Sequence, residues 1–200
     1  MFKPREIAVV LCAAVICGCA GQHGQYNRKT AKPVMEDPFN PDRPPTAKTL
    51  YLMADILSSQ GRDASAEQLF KRIQREYPDF LPAYNDLAAM QMRQRRLAEA
   101  METLSAGLKI SPRDPVLLNN MGICWLIRKD YAKALDYFTE AAAVMPTNTR
   151  YRANMAAALS LLGRREEALA LFKQILPEEE ALENIRILCD RAASRPAASQ

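Results

Sequence analysis

The same residue types return every 34 positions through the middle of this chain. When residues 47–80, 81–114, 115–148 and 149–182 are laid over one another, the eighth position reads Ala54, Ala88, Gly122 and Ala156. The twentieth reads Ala66, Ala100, Ala134 and Ala168. Large apolar residues keep the same phase, with Met53, Leu87, Met121 and Met155 at the seventh position and Phe70, Leu104, Phe138 and Phe172 at the twenty-fourth. A small residue beside a large one, recurring without slippage, is what two helices packed at close range require. A period of this length means stacked units, each burying its apolar face against its neighbours.

The third unit, PVLLNNMGICWLIRKDYAKALDYFTEAAAVMPTN from Pro115 to Asn148, displays the local physics most fully. Leu118, Met121 and Trp125 fall three and four apart and form one apolar stripe on a first helix, while Gly122 beside them admits a second helix closely. Ala134, Phe138 and Ala141 form the matching stripe. Asp114 followed by Pro115 reads as an N-cap with proline at the first helical position, and Pro146 stops the second helix. Thr46 can cap the first helix of the array.

Leu118, Met121, Gly122, Trp125, Ala134, Phe138, Ala141 and Pro146 stand at positions 4, 7, 8, 11, 20, 24, 27 and 32 of the unit, which in this resembles a tetratricopeptide repeat (TPR). The resemblance implies an all-α, right-handed solenoid of about four helix-turn-helix repeats over residues 46–182. Gln91, Arg152 and Glu180 depart from the pattern, the last two in the end repeat, where departures are expected. Pro177 ends that repeat early, and Glu178, Glu179 and Glu180 begin a further helix whose carboxylates favour the helix dipole. Leu182, Ile185, Leu188 and Cys189 are expected to form its apolar face, with Arg186, Arg191 and Arg195 on the polar side. Residues 177–194 thus read as a helix capping the open end of the solenoid, and the last residues are expected to fray.

The first 20 residues, MFKPREIAVVLCAAVICGCA, have the order of a signal peptide: Lys3 and Arg5, an apolar run from Ile7 to Cys17, then small residues. Ile16-Cys17-Gly18-Cys19 resembles the lipobox of bacterial lipoproteins, which implies cleavage after residue 18 and lipidation of Cys19. An ordinary secretory peptide cut near Ala20, or an uncleaved anchor, are the alternatives. Ala20, in place of an aspartate that retains lipoproteins at the inner membrane, points to the periplasmic face of the outer membrane. Residues 19–45 then form a lipidated N-terminus and a proline-rich, aperiodic tether expected to be disordered. His23, the one histidine, lies in that tether, where a ligand or catalytic role would lack fixed geometry. Cys124 and Cys189 remain after processing; nearly two repeats apart, they read as small buried apolar residues rather than a disulfide pair.

The formal net charge of +4 is too small to argue for nucleic acid, and no nucleic-acid-binding motif accompanies it. There is no catalytic set, phosphate-binding loop or metal-ligand spacing, so the sequence reads as neither an enzyme nor a cofactor-binding protein. Two surfaces are candidates instead. In the family the first helices line the inner face through positions 2, 5, 9, 12 and 13. Carried over, this gives Tyr51, Asp55 and Ser59, then Asn85, Ala89, Met92 and Arg93, then Asn119, Ile123, Leu126 and Ile127, then Ala157, Ser160 and Leu161. Its second half is apolar, and Asn85, Met92, Asn119, Ile123, Leu126, Ile127 and Leu161 are the expected contacts for a protein or peptide segment. The alternative is that the capping helix or the tether covers this face.

The second candidate is a basic ridge along the turns, formed by Arg62, Arg95, Arg96, Arg128, Lys129, Arg164 and Arg165. It would suit lipid headgroups or an acidic partner, unless these cations merely offset helix dipoles. At the level of family, the layout resembles TPR lipoproteins of pilus and secretion systems, namely pilotins and the tight-adherence pilus lipoprotein. That resemblance implies a scaffold for pilus or secretion assembly with secretin or pilus components as partners. TPR lipoproteins that bring proteases or cell-wall synthases to their substrates are the alternative.

Overall fold

The computed structural model describes residues 44–193, with side chains followed to Cys189. The lipobox, Cys19, His23 and the tether up to residue 43 lie outside the described residues, as do residues 194–200. The described residues form α1 (Ala47–Ser59), α2 (Asp63–Glu76), α3 (Pro82–Arg93), α4 (Leu97–Ile110), α5 (Pro115–Ile127), α6 (Tyr131–Val144), α7 (Thr149–Leu161), α8 (Arg165–Lys173) and α9 (Glu178–Ala193). No strand occurs among them. The helices pair as α1 with α2, α3 with α4, α5 with α6 and α7 with α8, and each pair stacks on the next to build an all-α solenoid.

Local chemistry sets the helix ends. Thr46 Oγ1 accepts from Thr49 N at 3.2 Å, starting α1. Asp114 Oδ1 accepts from Val116 N and Leu117 N at 3.0 and 2.9 Å, starting α5 just before Pro115. Asn148 caps α7 through Arg150 N at 3.0 Å. These bonds satisfy amides that have no partner within the helix. Between the paired helices the chain turns through Gly61, Arg95, Lys129 and Gly163, all at positive φ. After each of these, Arg62, Arg96, Asp130 and Arg164 donate their amides to Leu57, Gln91, Trp125 and Leu159 five residues back, at 2.8 to 3.0 Å. This is the Schellman closure of a helix C-terminus.

Small residues make the contact between paired helices. Ala54, Ala88, Ala156, Ala66, Ala100, Ala134 and Ala168 are all fully buried. At Gly122 a Cβ would lie 2.5 Å from Phe138 Cε1, so the ring of α6 rests directly on the backbone of α5. Gln91, a departure from the apolar pattern, is 2 % exposed, and its Oε1 accepts from Thr103 Oγ1 at 2.8 Å. A buried amide with a partner is tolerated where an orphan would not be.

The two ends of the array differ. Positions 7 and 10 of a first helix pack on the preceding pair, burying Leu87, Met90, Met121 and Cys124 to 5 % exposure or less. Among the described residues α1 has no preceding pair, and its Leu52, Met53 and Ile56 stand 49, 49 and 55 % exposed. At the other end α9 packs on α7 and α8. It does so through Ala181, Ile185 and Leu188, spaced four and three apart, with Cys189 half-buried. Leu182, expected on that face, is instead 44 % exposed, because the stripe begins one residue earlier and a single step rotates a side chain about 100° around the helix.

Candidate partner-binding surfaces

The expected inner-face residues separate into three groups. Asn85 and Asn119 belong to a polar ladder linking successive first helices. Tyr51 Oη donates to Asp86, Asn120 Nδ2 to Asn85 Oδ1, and Asn154 Nδ2 to Asn119 Oδ1, the last at 2.7 Å. Within a helix, Asn85 Nδ2 donates to Asp86 Oδ1 at 2.7 Å and Asn119 Nδ2 to Asn120 Oδ1 at 3.3 Å. Asp86 and Asn120, at the sixth position of their repeats, thus each bond the fifth position of their own repeat and of the one before. Burial, with the Asp86 carboxylate next to it, pushes the Tyr51 phenol well above its ordinary pKa and keeps it a donor. At the end of the ladder the fifth position is Ala153, and the fully buried Asn154 is left with Oδ1 unpaired.

Ile123 forms a second group by itself. It is 3 % exposed and packs among Ala134, Phe138 and Ala158, so it serves the core between the third and fourth pairs. Met92, Leu126, Ile127 and Leu161 form the third group. Met92 is half-buried, with its sulfur 3.4 Å from Cys124 Sγ. Leu161 is half-buried in the cluster that α9 completes. Leu126 is half-buried, and Ile127 is 40 % exposed. The accessible apolar surface is therefore narrower than the register implied, centred on the last turn of α5.

The basic residues do line the turns, but several are engaged. Arg96 bridges two repeats, bonding Glu67 at 2.6 and 2.9 Å and Glu99 at 2.5 and 2.7 Å. Those hydrogen bonds hold the Glu67 carboxyl at a pKa of about 2. Arg164 pairs with Glu167 at 2.7 Å. The Arg128 guanidinium lies 5.0 Å from the Trp125 ring centroid, and Lys133 Nζ lies 4.3 Å from it. Arg62, Arg95, Lys129 and Arg165 remain exposed and form no ion pair among the described residues. No group of three His, Cys, Asp or Glu side chains among the described residues could hold a metal ion. No helix among them is long and apolar enough to cross a membrane.

Residues 57–122 and 126–187 match the tetratricopeptide repeat family. The chain belongs to that family. Its TPR array is similar in fold to YrrB, a TPR protein, with a TM-score of 0.61 and 18 % identity over 75 % of this chain and 79 % of that one. It is likewise similar to the TPR protein TTC0263 of Thermus thermophilus, with a TM-score of 0.58 and 21 % identity over 74 % and 81 % of the two chains. Among curated proteins, mouse protein O-mannosyl-transferase TMTC1 is 26 % identical over 159 residues, covering 76 % of this chain and 17 % of that protein. The Arabidopsis thaliana CTR9 homolog is 30 % identical over 93 residues, covering 46 % of this chain and 8 % of that protein. The chain therefore spans less than a fifth of the length of these relatives. A TPR array of this kind is a scaffold for protein-protein interaction.

Sequence reasoning missed the ladder, although its signal is plain: the pairs Asn85-Asp86 and Asn119-Asn120 stand 34 residues apart. It also missed that Trp125, read only as an apolar position of the TPR pattern, has cations against its ring.

Proposed function

We propose that this protein is a lipid-anchored TPR scaffold that holds an apolar or amphipathic protein segment during assembly of a pilus or secretion apparatus at the outer membrane. The observation that carries the binding part of this reading is Ile127. It is 40 % exposed at position 13 of its repeat, where the two preceding repeats place Ser59 and Arg93. Leu126 lies next to it, and Met92 and Leu161 occupy the same strip in the adjacent repeats. A large aliphatic side chain contributes ~1.5–3 kcal/mol when fully buried, so a segment covering this strip gains apolar burial. YrrB, of similar fold, is described as having an unusual peptide-binding site, which supports the class of ligand. The anchor rests on Cys19 in Ile16-Cys17-Gly18-Cys19, since two acyl chains give durable attachment where one does not.

The test compares wild type with Ile127→Glu and Cys19→Ala. Ile127→Glu places a carboxylate on an exposed position and is expected to keep the helical circular dichroism and melting temperature while losing pilus or secretin components from membrane pull-downs. Unchanged co-purification would remove the inner face as the site. Cys19→Ala is expected to abolish labelling by a fatty-acid analogue. Equal label in both proteins would remove the anchor, and fractionation with the inner membrane would remove the outer-membrane assignment.

A further inference from the structure

Between α6 and α8 the surface opens into a groove of about 800 Å³, whose lining includes none of Met92, Leu126, Ile127 and Leu161. Its apolar lining is Leu135, Met155, Leu159 and Leu171, of which Leu159 is buried and the others half-buried. Its rim carries the exposed carboxylates of Asp136, Glu140 and Glu167.

The neighbouring repeat explains why this groove is open. Thirty-four residues before Leu159 stands Trp125, with Lys133 Nζ 4.3 Å and the Arg128 guanidinium 5.0 Å from its ring centroid. The equivalents of that ring and its two cations in the last repeat are Leu159, Glu167 and Leu162. Tyr137, which packs against the cluster of Leu118, Ala141 and Tyr151, becomes Leu171, and Asp136 becomes Ala170. One repeat therefore fills its groove with an aromatic ring and cations, and the next has leucines in place of the rings and Arg164 as the one cation in its lining. The charges are rearranged as well, with Glu167 standing where Lys133 does and Glu140 where Ala106 does. Asp136 and Glu140 make no ion pair among the described residues, and Glu167 has Arg164 at 2.7 Å. Three carboxylates thus face one guanidinium.

We propose that the groove between α6 and α8 binds a segment of a protein partner that presents a large aromatic or aliphatic side chain beside a lysine or arginine. The side chain takes the volume left by the loss of Trp125 and Tyr137 equivalents, and the cation meets Asp136 and Glu140. Buried aromatic anchors flanked by complementary charge are how protein interfaces concentrate affinity. An aromatic ring next to a cation also reproduces the arrangement one repeat earlier.

The probe is a fluorescein-labelled pentapeptide, glycine-tryptophan-lysine-arginine-glycine, titrated with the full chain at low salt and followed by fluorescence anisotropy. Saturable binding is expected, weakened about tenfold or more by Glu140→Lys and absent when glutamates replace the peptide's two cations. Ala170→Trp, at an exposed position on the groove wall, is expected to abolish binding while melting and circular dichroism stay as in wild type. Ile127→Glu is expected to leave the affinity unchanged, which separates this site from the inner face. No saturable binding, or binding indifferent to both Glu140→Lys and Ala170→Trp, would overturn the proposal. Loss in Ile127→Glu alone would transfer the peptide to the inner face. A dimer of the chain that Ala170→Trp dissociates would give the groove to a second copy and overturn the partner reading.

Discussion

Gly61, Arg95, Lys129 and Gly163 stand 34 residues apart, with φ of 73, 62, 68 and 79°. At this position the backbone reverses between paired helices, and the left-handed conformation costs an L-residue about 1–2 kcal/mol that glycine avoids. The first and last repeats use glycine, whereas the middle two hold a basic residue against that cost. Arg95 and Lys129 are exposed and form no ion pair among the described residues, so little offsets it locally. Arg95→Gly and Lys129→Gly are each expected to stabilise the fold by about 0.5–1 kcal/mol once the larger unfolded-state entropy of glycine is subtracted. In thermal denaturation this corresponds to a rise of ~2–4 °C per kcal/mol for a domain of this size. A fall in melting temperature would mean that these cations make contacts worth more than the backbone strain.

A first helix and its partner meet across alanine and glycine, so the tolerance of a position depends on which neighbour it faces. Ala134 of α6 is fully buried against α5, while Ala142, two turns on, is only partly covered. Ala134→Leu is expected to cost ~1–3 kcal/mol by overpacking, and Ala142→Leu less than about 1. Urea unfolding of the two variants decides it; equal shifts in midpoint would mean that α5 and α6 are not held at the close distance that Gly122 and Phe138 indicate. The same logic explains the capping helix. Ala181, the small residue at the head of the α9 stripe, is fully buried because the fourth pair lies directly beneath it. Leu182 has more apolar area to bury and is left outside. Geometry outranks hydrophobicity at that step.

At the scale of the whole molecule, the stack is directional: each first helix uses positions 7 and 10 to sit on the pair before it. Ile56 and Met90 occupy the same position in successive repeats, at 55 and 1 % exposure. Ile56→Lys is therefore expected to change stability by no more than about 0.5 kcal/mol, while Met90→Lys buries a charge and is expected to cost at least ~3 kcal/mol. Comparable losses in melting temperature would show that the face of α1 is covered in the full chain. The pair also marks the limit of what the sequence determined. Periodicity, the small-beside-large pairs and the caps at Thr46 and Asp114 are local or strictly repeating signals, and they were enough to read an all-α array, its phase and its closing helix. Exposure is not local, because the neighbouring repeat supplies it. Ile123 and Ile127 are the same residue type four apart on α5, yet the stack buries one and leaves the other accessible. Asn85 and Asn119 looked like contacts for a ligand and instead bond Asp86, Asn120 and Asn154. The groove beside α8 has Leu159 and Leu171 where Trp125 and Tyr137 stand one repeat earlier. The residues themselves specified the helices and their order, but what each surface offers was settled by which helices came to lie against one another, since burial and pairing are properties of contacts between repeats.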